Sequence, residues 1–113
     1  MKYAYNSLVG GYKSKASHSS NIVVGNVLES ANINCAVFGQ YNSTEGFDAT
    51  NRALLILGNG NSTTRSNAFT VDRYGNGVFS GNMTAQKIIA KSNYGSTLPD
   101  SGVEGEIFFL AQS

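Results

Sequence analysis

The chain reads as an all-β protein built from coils of about fourteen residues, and three observations point there. Gly11, Gly25 and Gly39 stand fourteen residues apart, each closing a short apolar run, and Gly58 closes a fourth run nineteen residues on, one period plus five. Two residues before each glycine stands a β-branched side chain, Val9, Val23, Val37 and Ile56, the type that packs best on a pleated sheet. Helix signals are nearly absent: only residues 84–92 carry one, and Lys87 to Lys91 suits a strand equally.

Each apolar run predicts a strand. One and three residues before the glycines stand Gly10 with Leu8, Val24 with Ile22, Phe38 with Ala36, and Leu57 with Leu55. In a strand these pairs face away from the β-branched set, so both faces are apolar, as in strands covered on two sides. One face fills the coil. The other needs a cover that identical neighbouring chains would supply. Val9, Val23, Val37, Ile56, Val24, Phe38 and Leu57 are therefore the expected core and inter-subunit ladder.

The segments after the glycines, 12–18, 26–31 and 40–44, are short, polar and turn-rich, and predict outer strands or corners on the solvent side. The five extra residues of the third interval bulge out near Thr44 to Asp48. Residues 67–72 and 77–80 flank a polar link in which Gly75 and Asn76 both tolerate positive φ, a hairpin signal. A last strand, residues 106–110, follows the only proline, Pro99. The organisation is one structural unit with a β-roll repeat region over 1–66 and a hairpin and end-strand region over 67–113.

Only 13% of the 113 residues are charged, against roughly 25% in ordinary soluble domains, so the surface is polar but uncharged. A net charge of +1 without clustered Lys or Arg gives no footprint for nucleic acid or an anionic membrane. No apolar stretch approaches the roughly 20 residues of a membrane span, and Met1 to Asn6 lacks the hydrophobic core of a secretory signal. Cys35, the only cysteine, starts an apolar run and reads as a small buried hydrophobe.

A glycan hydrolase needs two carboxylates flanking the bond, and no pattern pairs the seven acids here. Glu45 and Asp48, in the inserted loop, are the best placed, and read as solvated loop acids. His18, the only histidine, sits in a serine-rich turn and has no nucleophile motif to serve. Residues 58–64 are glycine-rich but lack the lysine of a phosphate loop. No catalytic, cofactor or metal residue is assigned. Tyr12 and Tyr41 each follow a repeat glycine, where rings stack on sugar faces or serve as spacers against the next coil. With Asn42 and Asp48 they form the candidate glycan-contact surface.

The fourteen-residue unit over residues 6–60 resembles the head repeats of trimeric autotransporter adhesins. Residues 58–72, 75–81 and 97–109 are similar to segments near the ends of phage and prophage tail-fibre proteins. These resemblances imply a left-handed parallel β-roll or β-helix, then a hairpin and end strand, assembled as an intertwined or side-by-side homotrimer. They imply a structural and adhesive segment of a tail fibre at the virion tail, attaching to a host cell-surface glycan without catalysis. A glycan depolymerase tail spike and a bacterial surface adhesin head are the alternatives.

Overall fold

The computed structural model describes residues 6–89 together with 94–95 and 109–110, and it is all-β among them. Six strands form one sheet in sequence order: β1 (Leu8–Tyr12), β2 (Ile22–Asn26), β3 (Ala36–Gln40), β4 (Ala53–Asn59), β5 (Asn67–Asp72) and β6 (Gly77–Phe79). The first four pair in parallel and the last two return antiparallel.

The parallel register follows the glycine period. Val9 lies beside Val23, Val23 beside Val37 and Val37 beside Ile56, while Gly11, Gly25, Gly39 and Gly58 form a column two residues further along the strands. The column has a steric cause. A Cβ added to Gly11 or Gly39, both at positive φ (91° and 100°), would stand 1.9 and 2.2 Å from the next glycine's carbonyl oxygen. Strands this close tolerate no side chain there.

Parallel strands usually need a crossover of a dozen residues or more. Here nine suffice between β1 and β2 and between β2 and β3, because each link turns sharply twice. Among the described residues, the non-glycine residues at positive φ are Asn6, Lys13, Ser20, Val27, Asn34 and Tyr41, one every seven residues. Each fourteen-residue repeat thus holds two left-handed turns, one on either side of its strand. Between them the backs of successive repeats meet, with Lys15 bridged in parallel to Glu29.

Val23, Val37 and Ile56 are fully buried, with Val9 half-buried at the end of their row. The core is completed by Ala16, Leu28, Ala31, Cys35 and Ala53. Three of these, Ala16, Leu28 and Ala31, lie in segments 12–18 and 26–31, so the solvent-facing role expected for those segments is corrected: part of each link points inward and closes the core from behind. Burial of Cys35 is the chief cause that pushes its thiol up to about 11, a hydrogen bond from the Ala31 backbone pulling slightly the other way.

Links without regular ladders leave backbone groups to satisfy, and asparagine side chains do it. Asn32 accepts from the Ala53 N–H (2.8 Å) and donates to its carbonyl (2.9 Å). Asn42 makes the same pair of bonds to Glu29, and Asn67 to Ser43. Each amide side chain imitates one residue of a neighbouring strand.

One further expectation changes. β5 continues the sheet from β4, and the chain divides into two compact units, Met1–Met83 and Thr84–Ser113. The hairpin forms as expected, but of its link residues only Gly75 takes positive φ, since the Asp72 carboxylate accepts from the N–H groups of Tyr74 and Asn76 and fixes the turn itself. In the second unit, residues 84–89 are neither helix nor strand, and β7 (Tyr94–Gly95) pairs in parallel with β8 (Phe109–Leu110). The remainder of the expected end strand, 106–108, lies outside the described residues. Among the described residues no helix is long and apolar enough to cross a membrane.

Candidate functional site

Two surfaces of the first unit carry what the repeat exposes. The first is the outer face of the sheet. Strand alternation that sends Val9, Val23, Val37 and Ile56 inward sends their neighbours outward, in two rows. One runs Leu8, Ile22, Ala36, Leu55, Val71 and the other Gly10, Val24, Phe38, Leu57, Phe69, Phe79. Neither row holds a charge. Leu8 is 61% exposed and Phe79 50%, with Ile22, Val24 and Phe38 also exposed. Phe69 and Phe79 stack with centroids 4.4 Å apart, extending the face over the hairpin. The expected ladder therefore divides: Val9, Val23, Val37 and Ile56 line the interior, while Val24, Phe38 and Leu57 face outward.

The second surface is the edge where the strands end. Tyr12, Asn26, Gln40 and Asn59 stand in register there, followed by the turn residues Lys13, Val27 and Tyr41. The Val27 N–H donates to the Tyr12 carbonyl (2.7 Å) and the Tyr41 N–H to the Asn26 carbonyl (3.0 Å), so the turns stack as regularly as the strands. Each tyrosine carries a cation: Lys13 Nζ lies 5.3 Å from the Tyr12 ring centre and the Arg65 guanidinium 5.9 Å from that of Tyr41. Arg65 is itself anchored to the carbonyls of Val27 (3.2 Å) and Asn42 (3.1 Å).

The four residues expected to contact glycan fall in different places. Tyr12 is exposed and Tyr41 half-buried, both on this edge. Asn42 is fully buried and clamps Glu29, so its place in a contact surface is corrected: its amide is the bridge between repeats and has no face left for a ligand. Asp48 lies in the inserted loop, accepting from the N–H groups of Thr50 (2.8 Å) and Asn51 (2.7 Å). Those bonds, the Asn51 one foremost, hold its carboxyl below the usual range. A general acid needs the opposite shift.

Sequence reasoning missed Arg65 and the amide row. The row was legible, since Asn26 and Gln40 follow their glycines by one residue as Tyr12 does. Arg65 lies beyond the repeats, and only the fold brings it back to Tyr41. Elsewhere His18, Asn32, Ile33, Ala49 and Arg52 line a hollow of about 120 Å³. Among the described residues no three His, Cys, Asp or Glu side chains gather as a metal site would require. No family model, curated protein or solved structure matches the chain.

Proposed function

We propose that this chain is a structural and adhesive segment of a phage-type tail fibre, a β-roll that assembles through its outer sheet face as a homotrimer and attaches to a host-surface glycan without catalysis. The observation that carries the assembly is the outer face itself. Its exposed side chains, Leu8, Ile22, Val24, Phe38 and Phe79, stand in two adjoining uncharged rows, the kind of apolar patch that marks interaction sites. Covering them with a second apolar face offsets the freedom lost on association. A second copy suits it because the patch is flat and periodic, so the same layers meet in register. The fourteen-residue repeat with a paired turn on each side of the strand supports the roll, and the resemblance to adhesin heads and tail-fibre ends supports the setting.

Light scattering behind a sizing column tests the assembly, with an expected mass about three times 12.0 kDa. A monomer at micromolar concentration would overturn the reading.

A further inference from the structure

Resting on that adhesive reading, we infer that the strand-end ladder of Tyr12, Lys13, Asn26, Gln40, Tyr41 and Arg65 binds an anionic polysaccharide, one whose sugar units carry carboxylate or phosphate groups. The register makes the argument. Tyr12, Asn26, Gln40 and Asn59 succeed one another at the strand spacing of about 4.8 Å, giving a run of about 14 Å. A surface that repeats along a line suits a polymer that does the same.

The chemistry along that line alternates in kind. Tyr12 is 61% exposed with Lys13 Nζ 5.3 Å from its ring centre, so it offers a sugar ring an aromatic surface with a cation beside it. The exposed amides of Asn26 and Gln40 bring both donors and acceptors for hydroxyl groups. Gln40 is held in place by donating to the Gly60 carbonyl (2.8 Å), which leaves its carbonyl oxygen to accept. Lys13 and Arg65 stand at different levels of the ladder, and no acid occupies its rows. Two separated cations with amides between them suit charges spaced by neutral polyhydroxyl units. Nucleic acid, with a phosphate at every step, calls for a denser block of cations.

The backbone sets the spacing. Val27 is β-branched and sits at φ 54°, in the same left-handed turn that follows each strand of the repeat, in the middle of the ladder. Its N–H and carbonyl tie Tyr12 to Arg65, so the turn fixes the spacing between the two aromatic and cationic levels.

The test uses the full chain against three immobilised polymers: polygalacturonate, a glycerol-phosphate polymer and neutral dextran. Binding to an anionic polymer, weakened by salt and absent on dextran, is expected, and whichever of the first two binds tells carboxylate from phosphate recognition. Tyr12→Ala and Lys13→Gln, both at exposed side chains, should each weaken it about tenfold. Arg73→Gln removes the same charge from a similar pair on the hairpin, where Arg73 lies 5.4 Å from the Tyr74 ring, and should change nothing. Equal binding to dextran, no binding to either anionic polymer, or equal losses in Lys13→Gln and Arg73→Gln would overturn the inference. A trimer that binds dextran alone would remove this inference and leave the adhesive reading standing.

Discussion

Asn32 and Asn21 are both buried, yet they are used differently. Asn32 engages both polar groups of the Ala53 backbone and also donates to the Ile33 carbonyl. Asn21 donates to the carbonyls of Asn32 and Cys35, while its side-chain oxygen has no partner among the described residues. Asn32→Ala strands a buried N–H and carbonyl and should cost about 2–4 kcal/mol, whereas Asn21→Ala should cost less, because an unsatisfied acceptor leaves with it. Urea denaturation of the two variants checks the order, and equal losses would contradict it. Val27 predicts the opposite sign. Val27→Asn relieves a β-branched residue of its left-handed turn and should stabilise by about 0.5–1 kcal/mol, read as a raised thermal midpoint.

The hairpin of β5 and β6 is an element whose stability should follow pH. The Asp72 carboxylate accepts from the side-chain amide of Asn76 (3.0 Å) and from the N–H groups of Asn76 and Tyr74. The Asn76 side chain is the largest of the influences that lower its pKa in the fold. A carboxyl lowered on folding stabilises above its unfolded value, about 3.9, and that contribution fades as pH falls through the folded value. The amide protons of Tyr74 and Asn76 should therefore lose exchange protection below about pH 4, ahead of those in β2 and β3, and Asp72→Asn should abolish the pH dependence. Unchanged protection down to pH 2 would refute the role given to this carboxylate.

For the whole molecule the outer face makes the sharpest demand. Phe38 is apolar and exposed at the centre of the sheet, whereas Val37 beside it is fully buried. Phe38→Lys should keep the β-sheet circular dichroism of the wild type while halting assembly, because a charge there would be desolvated only between chains. Val37→Asp buries an unpaired charge within the chain and should cost several kcal/mol, losing fold and assembly together. If Phe38→Lys also unfolds the chain, the face is covered within the subunit and the assembly proposal fails.

How much was legible in the sequence depends on distance along the chain. The parallel pairing of Val9, Val23, Val37 and Ile56 could be read because a fixed period forces equivalent residues side by side, and the hairpin because a polar link with Gly75 joins two apolar runs. The insertion near Asp48 followed from simple counting. Other features needed the fold. Asn32, Asn42 and Asn67 look like ordinary polar link residues, and only the approach of Ala53, Glu29 and Ser43 shows that their amides replace missing strand bonds. Leu28 and Ala31 sit in segments too polar on average to announce an inward face. Arg65 reaches Tyr41 from 24 residues away, a closeness that periodicity does not encode. A repeat determines what lies beside what along the stack, since translation copies one geometry, whereas contacts across it depend on how tightly each turn closes.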